Sequence, residues 1–68
     1  MIAPLLWKGV LKLVHIRKDS NKNTNVARVY NVRETTPEAI FTEIAPNCFE
    51  DTLTGDLFKV LDGAMVAF

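Results

Sequence analysis

Residues 7–17 are rich in β-branched residues, and their apolar positions form two lines with the two-residue period of a β-strand. In residues 7–17 one apolar line is interrupted by Lys12, and the alternate positions are also partly apolar. This pattern is typical of a strand that is covered on both faces. A helix is the competing interpretation, but Gly9 and the high β-branched content favour a strand. The preceding residues 1–6 are apolar, and Pro4 suits an edge strand or a helix start.

The clearest loop covers residues 18–25, which contain no apolar residue and are rich in asparagine. Apolar side chains return in residues 26–33, which we predict as a second strand, antiparallel to the first. A polar loop of this kind is a candidate contact surface.

A helix start signal follows the second strand. Thr35 precedes Glu38 by three residues, the spacing of a capping box, and Pro37 suits the first turn of a helix. The pattern therefore predicts a short helix over about 36–45, which ends at the Pro-Asn pair 46–47. A third strand is the alternative, because the segment is also rich in residues that favour sheets.

Two five-residue apolar runs, 57–61 and 64–68, enclose Asp62 and Gly63. An Asp-Gly pair between such runs predicts a hairpin with a type I′ turn. A helix that uses the glycine as its C-cap is the alternative for this segment. The intervening residues 48–56 are predicted as a loop with short strand character.

These segments follow the order β-β-α-β-β and predict an α+β domain. We expect a small bent antiparallel sheet, or a partly open barrel, of about four strands with one short helix. The 68 residues form a single domain, 1–68. Its edge strands invite a partner strand unless they are covered. A core of this size supplies only about 3–5 kcal/mol, which favours self-association or binding to a partner.

Composition places the chain among globular proteins, since 49% of its residues are hydrophobic, 24% are charged and the net charge is zero. The single cysteine excludes an intramolecular disulfide and a cysteine-based zinc site. No apolar run approaches the roughly 20 residues that cross a bilayer, and no secretory signal is visible. The expectation is a cytoplasmic protein with no membrane contact.

The charges are distributed unevenly. Residues 1–34 contain seven basic and two acidic residues, whereas residues 35–68 contain one basic and six acidic residues. This asymmetry indicates either two halves that pack with complementary charge or a nucleic-acid-binding face.

Catalytic motifs are absent from the sequence. His15 and Cys48 are single residues without the sequence neighbours of a nucleophilic site, so packed or surface roles are expected for both. Four acids lack the spacing of a calcium loop and are expected in turns or, alternatively, in an acidic patch for a basic partner. They are Glu50, Asp51, Asp56 and Asp62. We therefore predict a non-enzymatic chain with no cofactor, metal or small-molecule substrate.

Basic and aromatic residues supply the best functional pattern. Arg28, Tyr30 and Val32 share one face of the second predicted strand. Arginine beside an aromatic ring on a sheet is how small β domains hold single-stranded nucleic acid. The alternative is a purely structural role, in which Tyr30 lies in the core and the arginines are solvated or pair with the acidic half. The candidate nucleic-acid-binding residues are Lys12, Arg17, Lys18, Lys22, Arg28, Tyr30 and Arg33.

The apolar ends of the chain contain two candidate interface residues, Trp7 and Phe68. Tryptophan is enriched in interface hot spots, although a core position is the default for a side chain this large. The leading functional hypothesis is a small accessory or regulatory module that binds a protein partner or itself. The alternative is a small nucleic-acid-binding β domain.

Overall fold

A computed structural model describes residues 1–21 and 23–67. These residues form seven strands that follow one another around a single sheet. They are β1 (Ile2–Trp7), β2 (Val10–Asp19), β3 (Thr24–Tyr30), β4 (Ala39–Ala45), β5 (Cys48–Glu50), β6 (Leu57–Leu61) and β7 (Ala64–Ala67). Each strand pairs antiparallel with the next, and β1 also pairs in parallel with β7 at Leu5 and Met65. The sheet therefore closes on itself as a small all-β barrel.

The predicted α+β class, with about four strands and one helix, is wrong. The described residues contain no helix, and most of the predicted helix 36–45 is β4. Within β4, Phe41 is fully buried and its neighbour Ile40 is exposed, which is the alternation of a strand. The helix signal fails because Glu38 does not cap a helix. Its backbone N–H donates to the Val29 carbonyl at 2.7 Å, beside the β3–β4 ladder.

The predicted partly open barrel is closed instead, and closure removes the expected edges from the described sheet. The predicted number of strands is too low by three. β4 lies in the predicted helix, β5 lies in the predicted loop 48–56, and β1 is separated from β2 by a turn at Lys8 and Gly9, inside the predicted strand 7–17. Both have positive φ, 53° and 77°, and they form a two-residue turn between Trp7 and Val10. This is the geometry of a type I′ hairpin turn.

Several local predictions are confirmed. The strands on either side of the polar loop are β2 and β3, although their ladder extends to Asp19 and Thr24 and makes the loop shorter than predicted. The hairpin around Asp62 and Gly63 is also present. These two residues have φ of 50° and 78°, and the flanking Leu61 pairs with Ala64.

The barrel interior is filled by the inward side chains of the strands. Three phenylalanines are the largest of them, and the Phe41 and Phe58 rings meet edge to face with centroids 4.7 Å apart. Trp7 contacts both of these rings at 5.9 Å and covers them. Eight buried residues form one contact cluster: Leu5, Val14, Ala27, Val29, Phe41, Phe49, Phe58 and Met65.

We expect Phe58→Ala to lower the free energy of unfolding by about 3–5 kcal/mol, because it removes a ring from a close-packed interior. A loss of that size equals the whole stability expected of a core this small, so the variant should be largely unfolded. Urea titration followed by far-UV circular dichroism measures it. The control is Leu53→Ala, at a loop residue that is 94% exposed, which should change stability by less than about 0.5 kcal/mol. Equal midpoints for the two variants would contradict this packing.

Candidate functional site

Apolar side chains cover the outside of three adjacent strands, β7, β1 and β2. Strand register places Leu6 opposite Leu11 and Pro4 opposite Leu13. The parallel pairing of Leu5 with Met65 places the next residues, Leu6 and Val66, side by side on the outer surface. We call this surface the apolar face, and it consists of Ile2, Pro4, Leu6, Leu11, Leu13 and Val66.

The apolar face is open to solvent. Leu6 is 70% exposed, Ile2 63% and Leu11 56%. Single exposed apolar residues are ordinary, but a contiguous exposed patch is a candidate interaction surface. Lys59 of β6, opposite Val66, and His15 of β2, opposite Ile2, border the face.

Polar and cationic side chains occupy the neighbouring outer surface of β2 and β3. His15 lies opposite Arg28, and the His15 and Tyr30 rings contact edge to face at 5.9 Å. Arg17 follows two residues after His15 on the same side of β2. We call this surface the cationic face, and it consists of His15, Arg17, Arg28 and Tyr30. Among residues 1–21 and 23–67, no acidic side chain forms an ion pair with either arginine.

The apolar and cationic faces meet at a shallow groove. Its volume is about 310 Å³, and Ile2, Leu13, His15 and Tyr30 line it together with residues of the loop that follows β3. The groove is therefore lined by apolar side chains and by the His15 and Tyr30 rings, both of which can form hydrogen bonds.

The structure brings together only part of the predicted nucleic-acid-binding set. Arg17, Arg28 and Tyr30 share the cationic face, and exposed Lys18 lies beside Arg17 at the end of β2. Arg33 is exposed in the loop between β3 and β4. Lys22 lies outside the described residues.

Lys12, by contrast, belongs to the interior. It takes an inward position opposite Leu5 and is only 8% exposed. Its Nζ donates to Glu38 Oε1 at 2.7 Å and to Asn31 Oδ1. Glu38 and Asn31 flank the loop between β3 and β4, so these two hydrogen bonds hold that loop against the barrel. Because Lys12 is buried, it is not part of a nucleic-acid surface.

The two predicted interface residues have different outcomes. Trp7 is half-buried against Phe41 and Phe58, and the Lys8 Nζ lies 5.1 Å from its ring. Its ring thus covers the core. Phe68 lies outside the described residues.

The sequence predicts a contact surface on the edge strands and on the apolar ends of the chain, 1–7 and 64–68, which contain β1 and β7. It does not predict the contribution of β2. Both alternate lines of residues 7–17 are partly apolar, which favours a strand covered on both faces, whereas only the inward line is buried.

Across the described part of the chain, no group of three or more histidine, cysteine or acidic side chains is arranged to hold a metal ion. Asp51 is buried, and its carboxylate accepts a hydrogen bond from the Leu53 N–H at 2.9 Å within its own turn. The described residues include no helix that is long and apolar enough to cross a membrane.

Comparison of the chain with protein family models, with curated proteins and with solved structures finds no match. The class of the protein is therefore defined by its geometry: a small closed β-barrel with an apolar outer face beside a cationic one.

Removal of the Glu38 carboxylate should destabilise the fold more than removal of the Lys12 charge. In Glu38→Ala the buried ammonium loses its counter-ion, at an expected loss of about 1–3 kcal/mol. In Lys12→Met the side-chain volume is kept, and the Glu38 side chain, 39% exposed, is rehydrated, so we expect less than about 1 kcal/mol.

Urea midpoints of the two variants measure this difference. Glu34→Ala, an exposed acid in the same loop, is the control and should match the unmodified chain within about 0.5 kcal/mol. A larger loss for Lys12→Met than for Glu38→Ala would contradict the buried pair.

Proposed function

We propose that this chain is a non-enzymatic interaction module that binds protein through its apolar face. The observation that carries the proposal is the contiguity of six outward apolar side chains on three neighbouring strands. The interior is already filled, so these residues are not needed for the core. A partner that covers them removes apolar surface from water, which is the main driving force of protein association.

The make-up of the surface also supports protein as the ligand. Protein interfaces combine an apolar, charge-depleted centre with a polar rim. Leu6 and Leu11 form such a centre here, and His15, Lys59 and Tyr30 lie at its margin. Because the barrel is closed, we expect binding through side chains rather than through an added strand.

A photoreactive amino acid placed at position 6 tests this proposal in the cells that produce the protein. We expect covalent adducts to protein from position 6 and none from a control at position 53. Leu53 is 94% exposed against 70% for Leu6, so labelling by exposure alone favours the control. Equal labelling of the two positions, or no protein adduct at position 6, would refute the proposal.

Single-stranded nucleic acid is a second candidate ligand, because the cationic face offers two arginines without an acidic partner among the described residues. Arg28 lies between His15 and Ile40 across the sheet and two residues from Tyr30 on β3. Guanidinium groups contact phosphates, and an adjacent aromatic ring stacks on a base.

This candidate predicts binding of a random single-stranded oligonucleotide that weakens with salt. Two phosphate contacts, one for each arginine, give a slope of log K against log salt of about −1.4. Fluorescence anisotropy at several salt concentrations measures it. Arg28→Glu should abolish most of the binding without a change in far-UV circular dichroism.

Lys8→Glu makes the same change of charge in the turn between β1 and β2 and is the matched control. It should retain the affinity of the unmodified chain apart from a small general effect of net charge. Equal losses for the two variants would show that net charge, not the cationic face, is responsible.

A further inference from the structure

We infer that the occupant of the apolar face is a second copy of this chain, which forms a weak, reversible two-fold dimer. This inference rests on the proposed function and adds the identity of the partner. In a two-fold interface the same patch is contributed by both subunits and must be complementary to itself. The apolar face meets this requirement because none of its six members is charged, so the six side chains of one copy make no like-charge contact with those of the other.

The size of the face agrees with a weak dimer rather than an obligate one. Weak complexes bury less than about 1,200 Å² in total, or about 600 Å² on each partner. That is about an eighth of the 4678 Å² accessible surface of the described chain. Six side chains, three of them more than half exposed, are a patch of this order.

The shape of the barrel limits which strands can meet. Adjacent strands are about 4.8 Å apart, so three strands present a strip about 14 Å wide before the barrel curves away. We place β1 at the middle of the interface, flanked by β7 and β2. With the two-fold axis parallel to β1, the cationic face of each copy lies to one side and the two Arg28 side chains are kept apart.

The small core gives a thermodynamic reason for dimerisation. The free energy of association adds to the stability of a chain whose own core is small. A dimer through the apolar face buries surface that the closed barrel cannot bury by itself. Its stability should therefore rise with protein concentration.

Sedimentation equilibrium of the purified full chain tests the inference over concentrations from about 5 µM to about 500 µM. We expect the average mass to rise from 7.6 kDa toward twice that value and then to level off. Leu6→Glu and Leu11→Glu should each weaken association at least about tenfold, because each places a charge in an apolar contact.

Ile44→Glu is the matched control. Ile44 is an exposed strand residue of the same kind, 54% exposed, but it lies on the outside of β4. This variant should dimerise within about twofold of the unmodified chain. A mass of 7.6 kDa at every concentration, or equal weakening by Ile44→Glu and Leu6→Glu, would overturn the inference.

Amide NMR shifts of the unmodified chain, recorded over the same concentrations, keep the test decisive if the variants fail to fold. Concentration-dependent shifts should cluster on β1, β2 and β7, and a cluster on β4 and β5 would overturn the inference. Failure of the inference is also distinct from failure of the proposed function. Adducts from position 6 to a different protein, with a monomeric mass in solution, would overturn the dimer and retain the interaction module.

Discussion

The limited room inside the barrel is the constraint on which the rest of the structure depends. A cluster of eight buried side chains, including three phenylalanines, packs the interior, and protein interiors tolerate neither voids nor excess volume. Half of the chain is hydrophobic, which is more than this interior can hold. The surplus must lie outside. Among the described residues, five of the twelve exposed large apolar side chains lie on the outside of β7, β1 and β2, where strand register makes them contiguous. Closure of the barrel therefore produces the apolar face.

The uneven charge of the two halves of the chain appears in the structure in two ways. Lys12 in the basic half and Glu38 in the acidic half form an ion pair, so complementary charge between the halves accounts for one contact in the described residues. It does not account for Arg17 and Arg28, which lie on the outer surface without acidic partners there. The uneven charge in the sequence therefore has two structural explanations. One is the buried ion pair that holds the loop after β3, and the other is the exposed cationic face beside the apolar face.

Alternation and turn chemistry made β2, β3 and the last hairpin predictable, because each depends on local preferences. The helix over 36–45 was wrong because Thr35 and Glu38 match a local capping signal, whereas the pairing of β4 with β3 is a long-range interaction. The first turn was missed because Lys8 is an unusual residue at positive φ. The two-residue period of a strand predicts that Arg28 and Tyr30 share one face. It does not predict that Lys12 is buried, because the partner of Lys12 is 26 residues away in the sequence.

Strand β2 connects the two faces and makes the two candidate ligands compatible. Its outward residues are Leu11, Leu13, His15 and Arg17, so the strand changes from apolar to cationic along its length. A partner that covers the leucine half leaves the arginine half open. In a two-fold dimer each assembly then carries two cationic faces, and two linked sites bind one strand more tightly than either site alone. Nucleic-acid binding by such a dimer should show a steeper salt dependence than one face can give, because the number of phosphate contacts doubles.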